Sequence, residues 1–184
     1  MAKILTFDLE IETPVNGDWE AARTGGCGIS VLVVKDSETG LYHIFDKRTL
    51  DAGIDLLNSA DLLVSYNGIS FDAPVIFGVS GRYLTAAHYD ILDHIWSALH
   101  GRAKGYKLDE VARATIGMGK SSNGEYATTL VKQKRWAELH SYCLADVHLT
   151  AHLFDHIMDS GFVKGTNGIE LFLEKPILGV AEYA

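Results

Sequence analysis

Apolar positions in this chain recur first at strand spacing and later at helix spacing. Ile4, Leu5 and Phe7 open a strand with no turn residue before Pro14. Pro14 to Gly28 reads as a loop, containing Gly17 and the run Gly25-Gly26-Cys27-Gly28. Ile29 to Lys35 is a buried strand, Asp36 to Gly40 a turn, and Leu41 to Phe45 a third strand, which together with the first predict an antiparallel meander. Residues 47–59 carry Leu50, Ile54 and Leu57 at helical spacing. Asp61 to Tyr66 is a short apolar strand ending at Asn67-Gly68. Ser70 is expected to cap a helix over Phe71 to Phe77. Ala87 to Tyr89 gives another short strand, and Asp90 opens a helix through Leu99 with Ile91, Ile95 and Leu99 on one face. Leu108 to Ile116 is a helix stopped by Gly117, and Lys120 to Thr128 a polar loop. The longest helical run covers residues 134–159 and ends at Gly161. Ile169 to Val180 is a last strand, held to an edge or coil by Pro176.

Strands first, then alternating helix and strand, then helices, predict the α/β class, with one central sheet covered by helices. A chain of 184 residues that is 47% hydrophobic suits a single domain over residues 1–184. The net charge of −8 argues against a broad basic surface for nucleic acid but leaves room for a small basic cleft. Cys27 and Cys143 form no CxxC pair, so reduced thiols are expected, without a disulfide framework or a zinc site. Met-Ala-Lys-Ile-Leu lacks the apolar run of a signal peptide, and no stretch approaches the ~20 apolar residues of a membrane span. A soluble, cytoplasmic protein without a membrane partner is the expectation.

Chemistry enters through the acids. Strand alternation places Asp8, Glu10 and Glu12 on one side of the first strand. Such a row is either the solvated outer face of an edge strand or a seat for a divalent cation, which offsets the repulsion and desolvation. Asp72 falls in the first turn of a helix, where the helix dipole favours an acid. Tyr142 and Asp146 share a face of the long helix, and His148 and His152 share another without a third ligand. Three segments thus each offer carboxylates, and hard oxygen donors suit Mg²⁺ or Mn²⁺ over zinc. A pair of such ions can grip a phosphodiester and activate a water against it.

The stretches Phe-Asp-Leu-Glu-Ile-Glu-Thr, Tyr-Asn-Gly-Ile-Ser-Phe-Asp-Ala-Pro and Tyr-Cys-Leu-Ala-Asp, in that order, resemble the three motifs of the DEDDy 3′–5′ exonucleases of the ribonuclease H-like superfamily. The second and third are most similar to the proofreading domain of family B DNA polymerases and to related stand-alone proteins. The resemblance covers residues 4 to about 156. It implies a ribonuclease H-like fold, with a mixed sheet whose first three strands are antiparallel and later ones parallel. It also implies that Asp8, Glu10, Asp72 and Asp146 hold two Mg²⁺ or Mn²⁺ ions and that Tyr142 orients the attacking water. Asn67 and Phe71 match positions that handle the terminal nucleotides, although Phe71 can equally be core. Glu12 matches no family ligand, and Lys120 stands where the family often has a glycine-rich approach to the site. The implied activity is removal of nucleoside 5′-monophosphates from single-stranded DNA or RNA 3′ ends.

The chain has no room for a polymerase, which implies action alone, as an oligomer, or beside a separate replication or repair protein. Two further readings stand. One is a catalytically silent nucleic-acid- or protein-binding module on the same fold. The other is a nuclease of short oligoribonucleotides, which the acidic balance favours. Lys132, Lys134 and Arg135 beside Trp136 come nearest to a basic-aromatic patch and read as a helix-start surface.

Overall fold

Leu5, Phe7 and Leu9 are buried on one side of the first strand, so Asp8 and Glu10 face the other. The computed structural model of the chain describes residues 2–15, 18–119 and 125–177. A five-stranded sheet runs in the order β3-β2-β1-β4-β5, built from β1 (Ile4–Ile11), β2 (Ile29–Asp36), β3 (Tyr42–Phe45), β4 (Leu62–Ser65) and β5 (Ala87–Asp90). The pairs β1·β2 and β2·β3 are antiparallel, whereas β1·β4 and β4·β5 are parallel. This is the mixed sheet expected from the sequence.

Two layers of helix cover it. On the face of Leu5, Phe7 and Leu9 lie Ile54 and Leu57 of α2 (Leu50–Asn58) and Val75 and Ile76 of α3 (Asp72–Ser80). On the opposite face Val31 and Val33 of β2 pack on Leu139, Tyr142, Cys143 and Val147 of α7 (Trp136–Ser160). Further along the same helix, Leu149, Leu153, Phe154 and Ile157 pack on Leu62 and Val64, together with α4 (Ile91–Ala98) and α5 (Leu108–Ile116). Asp8 pairs with Val33 and Glu10 with Val31, and side chains of paired residues share a face. Both acids therefore face α7. Their segment ends at an irregularity between Glu10 and Ile11, where Ser30 is skipped and its hydroxyl donates to the Glu10 carbonyl at 3.0 Å. Beyond it, the Glu12 N–H bonds the Cys27 carbonyl and its carboxylate faces Lys47 at 3.7 Å.

Several local expectations are corrected. The segment read as a loop from Pro14 to Gly28 contains α1 (Trp19–Arg23), capped by Asp18 accepting from the Ala21 N–H at 3.0 Å and anchored by buried Ala22. One turn of helix is too short to show a period among so many glycines. Ser70 does not cap α3. Phe71 holds the cap position without a side-chain bond, because the Phe71 and Ala73 N–H groups go to the carbonyls of Asn67 and Gly68 in the preceding turn. Part of the loop expected over Lys120 to Thr128 is helical, since α6 spans Glu125–Lys132. Lys120 itself lies outside the described residues, as do residues 178–180 of the expected last strand. That strand shortens to β7 (Glu170–Phe172), which pairs with β6 (Phe162–Lys164) in a separate two-stranded sheet. Three residues directly after a helix stop leave no alternation for a sequence reading to find. No helix among the described residues is long and apolar enough to cross a membrane.

Candidate active site

The acids gather where β1 meets α7 and the start of α3. On β1, Asp8 and Glu10 lie close enough to the Cys143 sulfur that one ligand atom from each falls within 4.8 Å of the others. The Cys143 thiol donates toward the Asp8 backbone carbonyl at 3.3 Å and its Oδ2 at 3.5 Å. Cys143 precedes Asp146 by three residues, so the helix turns both toward the strand. Asp72 arrives from the other layer. Its Oδ1 accepts the Leu9 backbone N–H at 3.1 Å, which fixes the first turn of α3 against the middle of β1.

Burial and mutual repulsion set the electrostatics. Asp72 is 4% exposed, and burial raises its pKa to about 7. The Leu9 N–H opposes that rise, while the charges of Asp90 and Asp146 add to it. Burial also pushes the Cys143 thiol well above its ordinary value, with Asp8, Glu10 and Asp146 pushing further in the same direction. In the metal-free site this favours the protonated thiol, which donates to Asp8. What remains for a cation is a set of carboxylate oxygens that repel one another in a shielded place. Divalent Mg²⁺ or Mn²⁺ fits such a donor set. Asp8 and Glu10, with the Cys143 sulfur beside them, are the residues whose ligand atoms come within reach of a single ion.

The other expected residues fall around this centre. Tyr142 is buried on the face of α7 that packs on β2. Asn67 sits in the left-handed region at φ 72°, which asparagine tolerates better than most residues. Its N–H donates to Asp90 Oδ1 at 2.7 Å, giving Asn67 a backbone role in shaping the turn that leads to Asp72. Phe71 is half-buried against the core, edge-on to Trp19 at 6.0 Å between ring centroids. The structure thus gives Phe71 a packing role. His148 and His152 are ring neighbours at 4.3 Å, and His148 Nδ1 bonds the Tyr42 hydroxyl at 2.8 Å. Among the described residues they join no third ligand. At the foot of α7, Arg135 pairs with Glu138, and Trp136 is exposed beside it.

Two further residues contribute beside the expected ones. Cys143 shares a helix face with Asp146, but its apolar neighbours make it read as core. Asp90 reads in the sequence as a cap for the following helix or a group flanking the site, and it is a cap, accepting from the Leu92 and Asp93 N–H groups. Its second task, accepting from Asn67 and from Ile69 at 2.9 Å, depends on β5 lying beside β4. Burial raises the Asp90 pKa, and the N–H groups of Ile69, Asn67, Asp93 and Leu92 restrain the rise.

Comparison with known proteins follows the same lines. The family model of the RNase H superfamily matches residues 27–158. That span takes in Asp72, Tyr142 and Asp146 and leaves out β1 with Asp8 and Glu10. Among solved structures, the family B DNA polymerase from the hyperthermophilic archaeon Pyrobaculum calidifontis is similar in fold, with a TM-score of 0.68 at 20% identity. The match covers 86% of this chain and 25% of that one, so the chain spans about a quarter of the polymerase. Among curated proteins, none matches.

Proposed function

The chain belongs to the RNase H superfamily, and from that premise we propose that it is a metal-dependent 3′–5′ exonuclease acting on single-stranded DNA or RNA. The observation that carries the reading is the Asp8–Glu10 pair on β1 facing Cys143 and Asp146 of α7, with Asp72 hydrogen-bonded to the same strand. A binding module has no use for so costly a group of acids, because buried like charges oppose folding unless something offsets them.

In this reading Asp8, Glu10, Asp72 and Asp146 hold two Mg²⁺ or Mn²⁺ ions, which when bound make a water nucleophilic near neutral pH and neutralise charge on the phosphate. Tyr142, one helical turn before Asp146, orients the attacking water through its hydroxyl. Its hydroxyl serves by position more than by basicity. Asn67 and Phe71, on the turn that enters α3, lie beside the terminal nucleotide. Water attacks the last phosphorus and the bond to the upstream 3′ oxygen breaks. That oxygen takes up a proton, and a nucleoside 5′-monophosphate leaves.

The test is digestion of 5′-labelled single strands of DNA and RNA with Mn²⁺ or Mg²⁺, and with EDTA, beside the Asp8→Ala protein. A ladder shortening from the 3′ end is expected, at least ~10³-fold slower in the variant and absent with EDTA. A folded wild-type protein that leaves both polymers and short oligonucleotides intact in the presence of metal would overturn the reading. Rates over two to twelve nucleotides tell a polymer enzyme from one of short oligonucleotides.

A further inference from the structure

Beside the acid cluster lies a cleft that the catalytic reading does not use. It has a volume of about 570 Å³ and lies between the end of α1, the outer side of α3 and the segment after α3, lined by Arg23, Ile69, Pro74, Phe77 and Tyr83 among others. Phe77 and Tyr83 are stacked at 4.2 Å with their planes 21° apart, and Tyr83 is 67% exposed, so one face of the pair is open to solvent. Among the described residues Arg23 is the only charged residue of the lining and has no ion-pair partner, in a chain of net charge −8.

The position of Arg23 is built into the backbone. A Cβ on Gly78 would lie 2.4 Å from the Arg23 carbonyl oxygen and 2.5 Å from the Gly25 nitrogen, so α1 and α3 meet main chain to main chain. The backbone of Arg23 is thereby held against α3, and its side chain contributes to the cleft lining. The cleft also adjoins the candidate site along the chain. Ile69 and Ser70 line it and immediately precede Phe71 and Asp72, and Phe77 lies little more than one helical turn beyond Asp72.

We propose that this cleft receives the single strand upstream of the bond to be cut, one base stacking on Tyr83 over Phe77 and a backbone phosphate meeting Arg23. An open aromatic face accepts any base, and a lone cation in an acidic protein favours a polyanion over other ligands. The inference rests on the nuclease reading for the direction of the strand, but binding in the cleft does not require cleavage.

Anisotropy of 5′-fluorescein-labelled (dT)₁₂ in 50 mM salt tests it, using the Asp8→Ala protein with Mn²⁺ so that the strand stays intact. Adding Tyr83→Ala or Arg23→Glu is expected to weaken binding about tenfold each, with the loss shrinking as the strand is shortened to two nucleotides. Lys104→Glu, an equal change of charge at an exposed lysine outside the cleft, serves as the control. Thermal melts establish that each variant is folded. Equal affinity for all variants, equal loss with Lys104→Glu, or no binding by any of the proteins overturns the cleft assignment. Cleft-dependent binding in a protein whose wild type cleaves nothing upholds the cleft and removes the nuclease reading. Cleavage by the wild type with cleft-independent binding does the reverse.

Discussion

Asp72 is held by opposing demands. Its Oδ1 is needed by the Leu9 N–H, while burial and the neighbouring acids resist its charge. A carboxyl whose folded-state pKa is raised binds its proton more tightly folded than unfolded, so stability is present at low pH. It is lost as pH rises from the ordinary carboxylate value, near ~4, through about 7. In EDTA, Asp72→Asn keeps an oxygen for Leu9 and removes the charge. The variant is expected to melt above the wild type at pH 8, with the gap closing toward pH 4, and to lose cleavage throughout. A gap of the same size at both pH values would show that the charge is not the cause. At this scale the sequence is most legible where chemistry follows from residue type. Asp8, Glu10, Asp72 and Asp146 announce themselves as acids in apolar surroundings. The Cys143 donor does not, because a thiol among Leu139 and Val147 reads as core until the strand opposite is known to present Asp8.

Among the elements, the turn from β4 into α3 depends on Asp90 as much as on its own residues. One carboxylate satisfies the N–H groups of Asn67 and Ile69 in the turn and caps α4 as well. Asp90→Ala strands the Leu92 donor in a buried place and the Asn67 and Ile69 donors in a half-buried one. It is expected to cost about 2–4 kcal/mol in urea denaturation, taking a lost cap and unpaired N–H groups together. Cleavage should fall by more than the unfolded fraction explains, because Asp72 sits at the end of that turn. Activity retained in a folded Asp90→Ala protein would separate the turn from the site. The same arrangement explains what the sequence hid. Ser70 has the right chemistry for a cap and the right spacing, yet the left-handed Asn67 folds the turn so that its own carbonyls meet the helix N–H groups. By contrast α5, whose start and stop rest on local signals alone, has the limits its sequence suggests.

Over the whole molecule, the parity of β1 decides the layout, since alternate residues give one helical layer its core and the other its acids. That much follows from a period of two, while the antiparallel start follows from the short polar turn between the second and third strands and the parallel remainder from the family resemblance. The cleft by α1 does not, because it depends on two glycines far apart in sequence meeting main chain to main chain. The acids come from residues 8–10, 72 and 146, and meet only when α7 lies across the sheet. Contacts at such separation require the costliest loops to close. Cations that need the finished site act after the folding transition state. Saturating Mn²⁺ is expected to lower the unfolding arm of the chevron and leave the refolding arm unchanged. A faster refolding arm would mean instead that the acids are already gathered at the barrier. With a late-formed site, the metal sets how long the folded chain persists, not how quickly it forms.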